Sequence, residues 1–99
     1  MRLTDQRSTA IAELARQLAG ERARVRVFGS RLDDHAKGGD LDLLLESPEP
    51  VANPALLAAR FSVKVGRLMH GRKVDVLLSA PNLMRFPIHD IAFKEGQML

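Results

Sequence analysis

The segment Asp40-Leu41-Asp42-Leu43-Leu44-Leu45-Glu46 decides the fold class of this 99-residue chain. A short apolar run that is closed by Ser47-Pro48-Glu49-Pro50 is typical of a buried β-strand. Two carboxylates lie within it, Asp40 and Asp42. They are two positions apart, so the pleat of a strand directs both to the same face, with their backbones about 6.6 Å apart.

Two further strands are predicted on either side of this segment. Ala23-Arg24-Val25-Arg26-Val27-Phe28 alternates small or apolar residues with arginine, which is the period of a strand with one buried face. Lys73-Val74-Asp75-Val76-Leu77-Leu78 has the same pattern. Met98-Leu99 is long enough only to extend a sheet edge.

Helices are predicted between the strands. Apolar residues at helical spacing mark residues 5–19, with Thr4 or Asp5 as cap and Gly20 as stop. Asn53-Pro54 begins a second helix, which ends at Gly71. Its apolar stripe consists of Leu57, Phe61, Val65 and Leu68.

The remaining segments are shorter and more polar. Residues 31–39 predict a helical turn followed by a loop that closes with Gly38-Gly39, and one or two short helices interrupted at Pro87 follow Ala80-Pro81. The resulting order, α-β-(α)-β-α-β-α, predicts an α/β (α+β) fold in which helices pack on a small mixed β-sheet.

Composition narrows the classes of function. The length predicts one domain over residues 1–99, and the absence of cysteine excludes disulfides and cysteine zinc sites. The net charge is +3 and the only aromatic residues are four Phe, so nucleic-acid binding is disfavoured. No signal peptide or membrane-spanning run is present, and we expect a cytoplasmic protein with no membrane partner.

Three carboxylates stand out because they interrupt apolar strands. Asp75 lies between Val74 and Val76, so it faces away from its apolar neighbours, as Asp40 and Asp42 do in their strand. If the two strands are neighbours, the three side chains converge. Hard oxygen ligands without histidine or cysteine favour Mg²⁺ or Mn²⁺ over Zn²⁺, although an Asp-x-Asp alone is more often simply exposed.

A second feature is the junction Phe28-Gly29-Ser30-Arg31, where a strand runs into a helix start. Gly29 permits a sharp turn and a close approach of the backbone to a ligand. Free N–H groups at a helix start, the Ser30 hydroxyl and the Arg31 guanidinium can all contact a phosphate. Alone, the junction is an ordinary strand-turn-helix. Beside three carboxylates it predicts a site for a metal-bound nucleotide.

These motifs together resemble the minimal nucleotidyltransferases of the polymerase-β-like superfamily. Gly29-Ser30, then Asp40-Leu41-Asp42 and the third Asp75 follow in the order that this family shows, and the resemblance covers nearly the whole chain. Gly38-Gly39 precedes Asp40 where the family usually has a serine.

The resemblance implies roles for individual residues. Asp40, Asp42 and Asp75 would be catalytic and would hold two Mg²⁺ ions. Gly29 and Ser30, with Arg31, would bind the phosphates of ATP. The implied reaction is in-line displacement at the α-phosphorus with pyrophosphate as leaving group.

Many such small proteins resemble antitoxins that add AMP to a tyrosine of a helical ribonuclease toxin with a HEPN domain. The chain is too small to bring an acceptor-binding domain and has no tyrosine of its own, which agrees with modification of another molecule. Two alternatives remain open: neutralisation of the toxin by complex formation without catalysis, and nucleotidyl transfer to a small molecule.

Overall fold

A computed structural model describes residues 4–29 and 41–99. Three helices, α1 to α3, and four strands, β1 to β4, follow one another in the order α1 (Asp5–Ala19), β1 (Arg24–Phe28), β2 (Leu41–Glu46), α2 (Pro54–Leu68), β3 (Val74–Ser79), α3 (Pro87–Glu95) and β4 (Gln97–Met98). The predicted α+β architecture is confirmed. The turn and loop predicted over residues 31–39 lie outside the described residues.

The four strands form one mixed sheet in the order β3-β2-β1-β4. Strand β1 pairs antiparallel with both β2 and β4, whereas β2 and β3 are parallel. Two parallel neighbours need a crossover connection, and α2 supplies it. Met98-Leu99 is too short for a strand to be assigned from the sequence, and the structure has a two-residue edge strand at Gln97–Met98.

Side-chain caps fix where α1 and α2 begin. The Oγ1 of Thr4 accepts a hydrogen bond from the Arg7 N–H at 3.1 Å. The Oδ1 of Asn53 likewise accepts from the Leu56 N–H at 3.2 Å, directly before Pro54 in the first helical position. Both sequence predictions of a helix start are therefore confirmed, with Thr4 rather than Asp5 as the cap of α1.

The end of α2 differs from the prediction. The apolar stripe continues from Phe61 and Val65 to the buried Met69, while Leu68 is exposed. The chain leaves the helix at this point, and His70 and Gly71 turn it with backbone φ angles of 59° and 80°. Leu68 is the last residue of α2, and Met69, four positions after Val65, takes the buried place at the end of the stripe instead.

The two faces of the sheet are covered unequally. Alternate residues of β1, β2 and β3 point to a main core under α1 and α2, where Ile11, Ala15, Phe61 and Val65 are fully buried. The opposite face has a smaller cluster, made by Phe28, Leu44, Leu77, Ala92 and Phe93. Helix α3 thus packs against this second face at Phe28, Leu44 and Leu77.

Pro87 begins α3 instead of interrupting a helix. A turn follows Ala80, with the Leu83 N–H donating to the Ala80 carbonyl at 3.1 Å, and helical structure starts only at Pro87. A proline lacks the N–H that a helix interior needs, but the first helical position does not use that N–H. The prediction of a second short helix before Pro87 is wrong for this reason.

A side-chain hydrogen bond from His89 links α3 to strand β3 of the sheet. Strand β3 is at the edge, so some of its carbonyls have no strand partner, and the Leu78 carbonyl accepts from His89 Nε2 at 2.8 Å. On the other side of the buried ring, Nδ1 accepts from the Phe86 N–H at 2.9 Å. A ring with one donating and one accepting nitrogen is neutral and protonated at Nε2.

We expect His89→Leu to lower the free energy of unfolding by about 1–3 kcal/mol, because a donor and an acceptor lose their partner in a buried place. For a domain of this length the midpoint of thermal unfolding, followed by circular dichroism, should fall by roughly 5–15 °C. His70→Asn is the matched control, because His70 is exposed and asparagine tolerates its positive φ. Equal midpoints for the two variants would contradict a structural role for His89.

Within residues 4–29 and 41–99, no helix combines the length and the apolar character that crossing a membrane requires.

Candidate active site

Two of the predicted carboxylates lie side by side on the second face of the sheet. Asp42 and Asp75 are register partners on the parallel strands β2 and β3. Adjacent strands are about 4.8 Å apart, so the two side chains leave the same face at nearly the same point. The Lys73 carbonyl accepts from the Leu41 N–H at 3.0 Å and holds the strands in this register. Asp75 is exposed and Asp42 is partly exposed, so a ligand can reach the pair.

Gly29 closes this site on the side of β1. It directly follows Phe28, which is the register partner of Asp42 on the antiparallel neighbour. Its φ of +72° is one that side chains other than glycine rarely adopt, and a Cβ built there would lie 2.5 Å from Asp42 Oδ2. The absence of a side chain at residue 29 therefore lets the Asp42 carboxylate approach the backbone closely.

The charges of the pair favour a cation. Two like charges directly opposite each other on neighbouring strands are destabilising unless something compensates them. Carboxylate oxygens are the ligands that Mg²⁺ takes in proteins, and it commonly uses one or two of them and completes its shell with water and phosphate. The donor set of Asp42 and Asp75 thus fits a magnesium ion. In the part of the chain that the structure describes, no group of three or more potential ligands of the His, Cys, Asp or Glu type comes together.

The structure brings three of the six predicted site residues together, and the other three lie outside the described residues. Gly29, Asp42 and Asp75 converge at one end of the sheet, where β1 ends and β2 and β3 begin. Ser30, Arg31 and Asp40 lie outside the described residues.

Sequence reasoning passed over Arg72. It lies two residues before β3, the strand that bears Asp75. Its Nη1 is buried, and no group of residues 4–29 and 41–99 accepts a hydrogen bond from it. A buried guanidinium nitrogen without an acceptor is costly. The sequence signal is its position three residues before Asp75.

Comparison with known proteins agrees with this geometry. A family model described as "Nucleotidyltransferase domain" matches residues 9–98, which include all six predicted site residues. The chain therefore belongs to the nucleotidyltransferase domain family, within the polymerase-β-like superfamily. This family implies transferase activity on a nucleotide substrate, and its members typically use divalent metal ions. Comparison with curated proteins and with solved structures gives no significant match.

Proposed function

We propose that this nucleotidyltransferase domain transfers AMP from ATP to a hydroxyl of another protein, a tyrosine of a HEPN-domain toxin, and so acts as its antitoxin. Asp40, Asp42 and Asp75 are the proposed catalytic and metal-holding residues. Gly29, Ser30 and Arg31 are the proposed phosphate contacts. Two Mg²⁺ ions are the proposed cofactors, and Mn²⁺ has the same ligand preference.

The observation that carries the proposal is the pairing of Asp42 with Asp75 beside Gly29. Each feature is common alone, but together they put two carboxylates beside a stretch of backbone without a side chain, at one end of the sheet. A nucleotide with its metal ions needs both: oxygen ligands for the metal, and backbone N–H groups that approach the phosphates without a side chain between them. The family match supplies the class of reaction.

The residues of the chain would act chiefly by positioning. When bound, the metal ions neutralise the triphosphate and stabilise the entering and leaving oxygens. Asp42 and Asp75 would orient that charge at this end of the sheet, and the backbone N–H of Gly29 would contact the phosphates. The acceptor oxygen bonds to the α-phosphorus as the bond to the β-phosphate breaks. Pyrophosphate leaves, and the hydroxyl proton passes to solvent.

Two features of the chain agree with modification of another molecule. These 99 residues contain no tyrosine, so a tyrosine acceptor cannot come from them. Asp75 is exposed at the open edge of the site, and such an edge can receive a large acceptor as readily as a small one. The assignment of that acceptor as a HEPN toxin rests on the resemblance of the motifs to antitoxin nucleotidyltransferases.

The test is the intact mass of the protein and of a purified HEPN-domain toxin that binds it, after incubation with Mg²⁺ and ATP. We expect the toxin to gain one or more AMP units, and a toxin variant whose modified tyrosine is replaced by phenylalanine to gain none. The mass of the nucleotidyltransferase itself should not change.

A tightly bound toxin that stays unmodified would overturn catalysis and leave neutralisation by complex formation. Modification of an aminoglycoside or another small molecule, with no gain in the mass of the toxin, would instead overturn the protein acceptor while keeping the nucleotidyl transfer.

A further inference from the structure

A groove between α1 and α2 exposes apolar surface that the core does not use. It is a cavity of about 350 Å³ with residues of both helices in its walls. Leu14 packs on the main core beneath it, while Leu68 is 37% exposed. We call it the α1–α2 groove and define it by three apolar and three exposed charged residues: Ala10, Leu14, Leu68, Glu13, Lys64 and Arg67.

The α1–α2 groove lies on the opposite side of the sheet from the carboxylate pair. Helices α1 and α2 cover the face that holds the main core. Asp42 and Asp75 are each two positions from a residue of the second face, Leu44 and Leu77, and therefore leave that second face. A partner that binds in the groove leaves the two carboxylates accessible.

Lys64 and Arg67 give the groove an excess of positive charge. They belong to α2, which has three basic residues and no acidic one. Within residues 4–29 and 41–99, neither of the two is in an ion pair. Glu13, the acidic residue of the groove, pairs with Arg16 one turn further along α1 at 3.5 Å. The groove thus has two cations without a carboxylate partner among the described residues.

The charged residues around the groove do not cancel this excess. Arg7 is two turns before Leu14 and lies on the same side of α1, whereas Asp5 lies on the opposite side of the helix at 100° per residue. Beyond the other end of the groove, Arg60 and Glu49 line an adjoining cavity together and offset each other. The surroundings therefore add positive charge, not negative.

Shape and charge together select an acidic helix as the occupant. A groove between two packed helices can take the apolar side of a third helix. Helix α2 has 15 residues and is about 22 Å long, so it can accompany about four turns of a bound helix. Carboxylates beside the apolar residues of that helix are complementary to Lys64 and Arg67.

Two other occupants fit less well. A second copy related by a two-fold axis would bring Lys64 and Arg67 against the same residues of its partner. A membrane surface favours a helix that exposes aromatic and other large apolar residues, but Phe61, the aromatic residue of α2, is buried in the core. A flat bilayer surface also cannot fill a concave groove.

We propose that the α1–α2 groove is a docking surface for an amphipathic helix of a partner protein, with apolar residues along one side and aspartate or glutamate beside them. The apolar residues cover Leu14 and Leu68, and the acidic residues pair with Lys64 and Arg67. The inference goes beyond the proposed function, because it assigns a binding surface that needs no nucleotide and leaves the carboxylate pair uncovered.

The test measures peptide binding by fluorescence anisotropy without nucleotide. The probe is a labelled peptide of about 16 residues, long enough for four helical turns, with leucine at every third or fourth position and glutamates beside the leucines. One comparison peptide has lysines in place of the glutamates, and the other has serines in place of the leucines. We expect the acidic leucine peptide to bind at least about tenfold more tightly than either.

Matched variants locate the binding surface. Lys64→Glu should weaken binding of the acidic peptide about tenfold and strengthen binding of the lysine peptide, because the charge at the groove is reversed. Lys94→Glu makes the same change in net charge on the exposed side of α3, which packs on the other face of the sheet. It should bind both peptides nearly as the wild type does. Circular dichroism should show the same helical content for both variants.

The proposal is overturned if the acidic and lysine peptides bind equally, if neither binds, or if Lys64→Glu and Lys94→Glu have equal effects. Binding to vesicles of anionic lipid that only Lys64→Glu abolishes, without peptide binding, would assign the surface to a membrane instead. A dimer in analytical ultracentrifugation that only Lys64→Glu changes would assign it to a second copy. None of these results depends on nucleotidyl transfer, so the proposed function is tested separately.

Discussion

Asp42→Asn should lower nucleotidyl transfer by about 1,000-fold or more while the protein stays folded. Asparagine has nearly the shape of aspartate but lacks the charge that faces Asp75 across β2 and β3. Loss of a carboxylate that holds a catalytic metal costs several kcal/mol of transition-state stabilisation, and each 1.36 kcal/mol is a factor of ten in rate. The measurement is the rate of pyrophosphate release in the presence of acceptor and Mg²⁺.

Glu46→Gln is the matched control for this prediction. Glu46 lies on the same strand and the same face as Asp42, four residues along, and is similarly half-buried. The substitution Glu46→Gln removes one negative charge from this face and leaves Asp42 and Asp75 unchanged. A loss of activity in Glu46→Gln as large as that in Asp42→Asn would mean that general charge on this face matters, and not the pairing with Asp75.

Gly29→Ala should lower activity about 100-fold through a single methyl group. The new Cβ would come within 2.5 Å of Asp42 Oδ2, so the carboxylate must turn away from the backbone. A displacement of about 1 Å in a positioned catalytic group costs about 100-fold in rate. Because the group that moves is the end of a flexible side chain, the stability cost should come chiefly from the backbone, at about 1–2 kcal/mol for a left-handed φ.

Gly71→Ala is the control that separates the cost of a positive φ from the effect of contact with Asp42. Gly71 has a φ of +80°, close to the +72° of Gly29, and a Cβ there would meet nothing within 4 Å. We therefore expect the two variants to lose similar free energy of unfolding in urea titrations, and only Gly29→Ala to lose activity. Two variants that are equally active, or equally inactive, would show that the contact with Asp42 does not matter.

Local pattern was sufficient to predict the framework of the sheet. Arginine alternates with valine in β1, and a run of leucines forms β2. These patterns predict whether one or both faces of each strand are buried. The same alternation placed Asp75 opposite its apolar neighbours. The sequence did not show that β2 and β3 are adjacent in the sheet, and this had to be assumed. The register of Asp42 with Asp75 confirms that they are adjacent.

Features that depend on contacts between distant segments were not predictable. His89 is one of three histidines in the sequence, and nothing near it along the chain shows that its ring would contact the Leu78 carbonyl of an edge strand. Leu68 and Met69 both fit the helical spacing of the apolar stripe, and only the contacts of the folded chain decide that Met69 is buried and Leu68 exposed. At the site, the close contact between Gly29 and Asp42 joins two strands and has no local signature beyond the glycine itself.

The most direct test of the account is whether Mg²⁺ and Asp42 act together in binding a nucleotide. Isothermal titration with the non-hydrolysable analogue α,β-methylene-ATP measures this without any acceptor. We expect the affinity in Mg²⁺ to fall by about tenfold or more when EDTA is added, a change of about 1.4 kcal/mol, and to fall as far in Asp42→Asn with Mg²⁺ present. Equal affinity with and without Mg²⁺, or an Asp42→Asn variant that binds as the wild type does, would contradict a metal–nucleotide site at Asp42 and Asp75.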